Sequence, residues 1–334
     1  MAKVNIIMAV YNQADFLLDS INSVLNQSFA NFDLIIINDG SKDKSEEVIL
    51  SIKDERICYY SNGQNKGLIY SLNRGLEIAI KKGGKYIARM DSDDIAFPER
   101  LLQQVNYLDE HPSVGLLGTA VQYFGSTNKI RYSPVTQRKI IATLYCYNPF
   151  VHPTVVFRSD IIKDITFDPT CPKYEDYKLW IDLIGTCEFH NLPTVLLHYR
   201  KHPGSVTSSY EGERGIDHAM FKQILMHLNL KLGGRLTDQE LETLSIITGP
   251  GRAKINPNIP LKELQATVDA IILKTDDSIL DQAYLTQLLI ERIMYYLLWN
   301  GRRADVLRLF NIRRIKYFFG IARSLASGKK WVVN

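Results

Sequence analysis

The chain has 334 residues, 46% of them hydrophobic and 23% charged, with a formal net charge of +4. This length suits one large domain or two of ordinary size, the apolar content excludes a disordered chain, and the near balance of charge excludes binding of nucleic acid over the whole surface. The four cysteines, Cys58, Cys146, Cys171 and Cys187, are scattered with no close pair at metal-ligand spacing, as expected of reduced thiols in a cytosolic protein. Met1-Ala2-Lys3-Val4 runs directly into a strand pattern without the layout of a signal peptide, and no apolar run approaches a membrane span.

Val4 to Val10 is a nearly continuous apolar run, the pattern of a parallel strand buried on both faces. Leu17, Ile21, Val24 and Leu25 then mark one face of a helix. Leu34 to Ile37 reads as a second buried strand. Asp43 with Glu46 three residues on has the form of a capping box before Val48, Ile49 and Ile52. Ile57 to Tyr60 is a third strand. Leu68, Leu72, Leu76 and Ile80 recur every four residues until Gly83-Gly84 stops that helix. The Lys85 to Met90 segment is a fourth strand, and Leu101, Leu102, Val105 and Leu108 a further helix ending near His111-Pro112. Strands alternating with helices of this length predict an open, mostly parallel sheet.

From Val114 to Arg200 the signals are shorter. Val114 to Thr119, Val155 to Arg158 and Pro193 to Tyr199 read as strands, and Tyr174 to about Ile184 as a helix. Beyond Ser205 the pattern is helical, with Met220 to Leu228, Leu261 to Leu273 and Leu285 to Trp299 as helices and Thr248-Gly249-Pro250-Gly251 as loop.

Open parallel sheets bind ligands at the carboxyl ends of their strands. Those ends here are Tyr11-Asn12, Asn38-Asp39-Gly40-Ser41, Ser61 to Gly67, and Asp91-Ser92-Asp93-Asp94. All are polar and two are acidic. The turn after the first strand has no glycine, which disfavours a dinucleotide site. The acidic run offers hard oxygen ligands suited to magnesium or manganese carrying a diphosphate; it also suits a solvated turn with a helix N-cap. Glu175-Asp176 likewise fits either an acid–base pair or two acids favoured by a helix dipole.

These motifs, in this order, resemble a family 2 glycosyltransferase. The likeness rests on Val10-Tyr11-Asn12, Ser23 to Phe29, Asn38-Asp39-Gly40-Ser41, Asn65-Lys66-Gly67, Ser71 to Gly75 and Ala88 to Asp94, and continues through His152-Pro153-Thr154, Glu175 to Trp180 and Tyr199 to His202. It covers residues 3 to 207. The resemblance implies an α/β, A-type glycosyltransferase fold, a nucleotide-sugar donor, a divalent metal (manganese or magnesium) and inversion at the anomeric centre in one displacement. It implies Val10, Tyr11, Asn12, Asp39, Lys66, Asp91, Ser92 and Arg200 at the donor, Asp93, Asp91 and His202 at the metal, Asp176 as base and Glu175 beside it. His152 is expected to be structural or next to the acceptor.

From Arg302 onward nine basic residues face one acid, Asp305, with Phe310, Phe318 and Phe319 interleaved. This is the pattern of a basic amphipathic element on an anionic membrane; the same pattern suits a helix packed on the protein with its arginines solvated. The expectation is a catalytic domain over 1–205, with a nucleotide-sugar half to about 112, followed by a helical region with a basic tail at 302–330. The expected enzyme is cytoplasmic, peripheral on the inner membrane face, and acts on a lipid-linked saccharide for a bacterial surface polysaccharide. A soluble or protein acceptor and a non-catalytic nucleotide-sugar-binding scaffold are the alternatives.

Overall fold

The apolar run that opens the chain forms an interior strand of a nine-stranded sheet in the computed structural model, which describes residues 3–202, 214–249 and 259–309. Two units are distinguished, Met1–Val135 with Phe150–Ser208 and Thr136–Pro149 with Ser209–Asn334.

In the first unit, β1 (Val4–Val10), β2 (Phe32–Asn38), β3 (Ile57–Ser61) and β4 (Tyr86–Asp91) lie in the order β3-β2-β1-β4, all parallel. The crossovers are α1 (Ala14–Leu25), α2 (Ser45–Ser51) and α3 (Leu68–Lys82). Leu34 to Ile37 are wholly buried, because helices cover both faces of the sheet. At Gly75 of α3 an added Cβ would collide with the Ile7 side chain, so the missing side chain lets this helix lie close on β1.

The second half of this unit is built differently. After β5 (Ile95–Ala96) and α4 (Arg100–Glu110) come β6 (Val114–Gly125), β7 (Ile130–Arg131), β8 (Val156–Arg158), α6 (Ser159–Ile162), α7 (Glu175–Asp182) and β9 (Glu188–Lys201). β8 runs antiparallel to both β4 and β6, and β9 runs parallel to β6. Hence β6 and β9 point the same way as β4. Both are longer than the sequence pattern predicts, and their far ends reach the edge where β1, β2 and β4 also end.

The predicted capping box at Asp43 does not form. Asp43 Oδ2 accepts the Ala14 N–H at 2.9 Å and Oδ1 the Ser45 N–H at 3.0 Å, while Glu46 accepts from the Tyr59 hydroxyl. Asp43 lies two residues before α2 and instead satisfies an orphan donor at the start of α1. Its carboxyl is held below the usual carboxylate range by hydrogen bonds that outweigh its partial burial.

The second unit joins α5 (Gln137–Thr143) to α8 (Arg214–Lys231), α9 (Asp238–Thr248), α10 (Leu261–Lys274), α11 (Gln282–Trp299) and α12 (Arg303–Leu309). The segment 136–149 thus groups with the C-terminal helices, where Ile140, Ile141 and Leu144 are buried. α9 opens on a complete capping box between Thr237 and Glu240. Among the described residues no helix is long and apolar enough to cross a membrane. Of the basic tail, only Arg302 to Leu309 falls within the described residues; there Asp305 pairs with Arg302 at 2.8 Å and Arg308 at 3.2 Å. Positions 310–330 lie outside the described residues.

Candidate active site

The tips of β1 and β2 are tied together. The Asp39 N–H donates to the Val10 carbonyl at 2.8 Å, the Asn12 N–H to Ser41 Oγ at 3.1 Å, and the Lys42 N–H to Asn12 Oδ1 at 2.7 Å. Asn12 holds a left-handed backbone, φ 52°, which asparagine tolerates better than most residues. Val10 is buried and Tyr11 is 42% exposed at the mouth.

Asp39 is buried and its carboxylate is already engaged. It accepts from Asn62 Nδ2 at 2.6 Å, the Lys66 N–H at 2.9 Å and the Gly67 N–H at 2.9 Å. Three donors from one loop fix that loop's shape. Gly40 makes the approach possible: its φ is +70°, and a Cβ would sit 2.5 Å from the Gln64 backbone. The Lys66 ammonium is turned onto the Tyr70 ring, 4.5 Å from its centroid. Arg74 donates to the Ser61 carbonyl at 2.7 Å and to Asn62.

At the β4 tip, Asp91, Asp93 and Asp94 bring carboxylate oxygens within 4.8 Å of one another. Ser92 is buried between them. Burial, and next the Asp91 charge, push the Asp93 carboxyl up, with His202 working against this. Burial and both neighbouring aspartates push Asp94 well up. Two buried guanidiniums lie behind. Arg89 pairs with Asp91 and donates to the Met90 carbonyl; Arg100 donates to the Arg89 carbonyl at 2.7 Å and to Gln104 at 3.1 Å. Arg100 is the first residue of α4, and the motifs of the sequence do not single it out. Its signal is that Arg100 and Gln104 share the helical spacing of Leu101, Val105 and Leu108.

β9 brings its own end to the same place. The Arg200 N–H donates to Asp94 Oδ1 at 2.8 Å and its Nε to the Asp93 carbonyl at 2.7 Å. His202 Nε2 lies 3.0 Å from Asp93 Oδ2. The structure therefore brings His202 to Asp93 and places Asp94 in the same carboxylate group as Asp91 and Asp93.

α7 supplies the remaining acids. Asp176, half-buried, accepts the Tyr177 N–H at 2.6 Å. Glu175 is buried, and desolvation followed by the Asp176 charge raises its carboxyl to about 7. Arg89 and Asp91 also act on Glu175, so the start of α7 faces the β4 tip. His152 is enclosed beside Phe167 and Trp180, and burial together with Arg89 keeps its ring neutral. It belongs to the wall of the site, in keeping with a structural role.

Glycosyl transferase family 2 matches residues 5–166 of the chain. An uncharacterized glycosyltransferase of Haemophilus influenzae is 33% identical over 226 residues, 63% of this chain and 69% of that protein. The O-antigen biosynthesis glycosyltransferase WbnJ of Escherichia coli is 32% identical over 222 residues, 62% of this chain and 82% of that protein. Among solved structures, Staphylococcus aureus TarS 1-349 in complex with UDP-GlcNAc aligns with TM-score 0.58 at 17% identity, over 98% of this chain and 92% of that one. The mannosyltransferase PcManGT of Pyrobaculum calidifontis, in complex with GDP-Man and Mn2+, aligns with TM-score 0.53 at 14% identity, over 92% and 85%. At these identities the structural likeness is one of fold.

The fold and relatives define a glycosyltransferase of the A-type fold. The chain belongs to glycosyl transferase family 2, an inverting family that uses nucleotide-sugar donors.

The site residues fit a divalent cation. Asp94 Oδ2 is buried with no hydrogen-bond partner among the described residues, and three mutually repelling carboxylates form a hard-oxygen donor set. Glu175 also gives the site a signature in stability. Its folded pKa is raised above the unfolded value of 4.5 to about 7, so between those limits the folded state holds the extra proton. Stability from this group is full below about 4.5 and falls as pH rises through about 7. Asp93 and Asp94 act with the same sign. Replacing Glu175→Gln should flatten the decline of Tm between pH 4.5 and 7 relative to the native chain; an unchanged slope would show that Glu175 titrates normally.

Proposed function

We propose that this enzyme moves a sugar from a UDP-sugar to a saccharide acceptor, with inversion and with the help of a divalent metal. The observation that carries the reading is the convergence, at one sheet edge, of the Asp91–Asp93–Asp94 cluster with Arg200 and His202 from β9. Asp93 and Asp91 would hold manganese or magnesium, with His202 on Asp93; when bound, the ion neutralises the diphosphate as it leaves. The ligands of two proteins of the same fold, UDP-GlcNAc in TarS and GDP-Man with Mn2+ in PcManGT, support a nucleotide-sugar donor, and the first of them supports uridine as its base.

Each remaining step falls to side chains of this chain. Val10, Tyr11, Asn12, Asp39, Lys66 and Ser92 shape the nucleoside end. Asp39 acts there through the loop it organises, with its fourth lone pair available to the base. Arg200 meets the diphosphate with its guanidinium edge. On the opposite side Asp176 accepts the acceptor hydroxyl's proton while that oxygen attacks the anomeric carbon and the diphosphate departs. Glu175, uncharged up to near neutral pH, leaves the pair with one negative charge, so the base is not opposed by a second carboxylate.

We further propose a lipid-linked acceptor at the cytoplasmic membrane face, in bacterial surface polysaccharide synthesis. The O-antigen name of one relative and the nearly one-signed tail from Arg302 onward support it. A scaffold that kept only the nucleotide-sugar fold would not need the Glu175–Asp176 pair, which favours the enzyme.

Three measurements test the reading. Calorimetry with UDP should give binding that weakens at least tenfold in chelator and in Asp93→Asn; equal affinity with and without metal would remove Asp93 from the metal. Asp176→Asn should keep UDP affinity and lose roughly two to four orders of magnitude in transfer, and near-normal turnover would move the base to Glu175. Deleting residues 310–334 should abolish sedimentation with anionic vesicles, to which each basic residue contributes about 1 kcal/mol, and leave UDP binding intact; vesicle binding by the shortened chain would defeat the role of the tail.

A further inference from the structure

We infer that Phe16 is a positioning residue for the donor diphosphate, acting through Arg200, with Phe124 as the other half of an aromatic clamp. The inference rests on the reading of Arg200 as a phosphate contact and explains how that contact is kept ready.

A guanidinium beside three carboxylates has an obvious alternative fate. Coulomb attraction would draw it into a two-pronged ion pair with one of them, using both terminal nitrogens. Arg200 does not do this: among the described residues it forms no ion pair. Its Nε is spent on the Asp93 carbonyl at 2.7 Å. Its central carbon lies 4.5 Å from the centroid of the Phe16 ring and 4.4 Å from that of the Phe124 ring. A guanidinium held by two rings and through Nε presents the edge bearing the two Nη atoms, which have no hydrogen-bond partner among the described residues. That edge matches two oxygens of a phosphate.

The two rings come from different elements. Phe124 is brought by β6, whose parallel register sets it beside Arg200. Phe16 comes from the first turn of α1, where it is half-buried while its neighbour Leu17 fills the core. Phe16 also packs on the His202 ring, centroids 4.8 Å apart, and His202 reaches Asp93. A single ring on α1 therefore touches both residues through which the end of β9 meets the acidic cluster. An aliphatic side chain would fill the space without the ring's electron-rich face, which is what attracts a cation.

The test is UDP affinity at fixed manganese for the native chain, Phe16→Leu, Phe16→Tyr, Arg200→Gln and the Phe16→Leu/Arg200→Gln pair, together with donor KM and kcat. Losing one of two cation–ring contacts predicts UDP binding weakened roughly 3- to 30-fold in Phe16→Leu. The change should fall on donor KM more than on kcat, with Tm little altered because Phe16 is outside the core. Phe16→Tyr should restore binding. The effect of Phe16→Leu should shrink by at least half in the Arg200→Gln background, since the two act as one unit. Phe124→Leu provides the same test from the other side should Phe16→Leu fold poorly. Additive effects of Phe16 and Arg200, or native affinity in Phe16→Leu while Arg200→Gln is impaired, would overturn the inference alone. Native affinity in Arg200→Gln would overturn the phosphate-contact reading and the inference with it.

Discussion

Like charges gathered at one strand tip are the constraint on which the site is built. Two carboxylates about 5 Å apart repel by about 3–4 kcal/mol at an effective dielectric near 20. The three pairs among Asp91, Asp93 and Asp94 would together rival the roughly 5–15 kcal/mol that holds a whole domain folded. The protein meets this in three ways. Arg89 and Arg100 are buried behind the acids. Asp94 takes a backbone N–H and Asp93 a histidine. Protons bind more readily than on free carboxylates. A divalent cation would complete the same balance.

The direction of the strands then decides what else can reach this point. β1, β2 and β4 end there because βαβ crossovers keep them parallel. β6 and β9 end there because the short antiparallel β8 restores the original direction between β4 and β6. One reversal followed by another thus carries Phe124, Arg200 and His202 to the acids, although they are far away in the chain. Glu175 and Asp176 arrive by a different route, on the first turn of α7, where the helix N-terminus favours a negative charge.

Much of this was legible in the sequence, and the parts that were not share a cause. The four parallel strands were clear because continuous apolar runs bounded by polar tips have few other meanings. The acidic run and Glu175-Asp176 stood out because they sit at element ends, although the residues alone left their roles open. The full extent of β6 and β9 was hidden because β9 ends on Arg200 and Lys201, which meet aromatic rings, and because Gln122 and Gly125 interrupt the apolar run of β6 although Tyr123 between them is buried in the core. Asp43 was misassigned because its partner is the distant Ala14, and no local pattern records that pairing. The roles of Arg89, Arg100 and Phe16 were hidden for the same reason: each depends on what a different strand or helix brings beside it. α9 is the exception, since the Thr237-to-Glu240 capping box was present to be read.

The excursion of residues 136–149 into the second unit bears on how the molecule is divided in the laboratory. The helix α5 hides Ile140, Ile141 and Leu144 among partners drawn from the C-terminal half, α11 in particular. A fragment ending near Ser208 would retain α5 and discard those partners, leaving a sticky apolar helix on an otherwise intact sheet. The sheet-bearing unit is therefore not separable by a single cut, and a clean fragment calls for two changes: an end near Ser208, before the helical unit resumes, and a short polar link in place of 136–149.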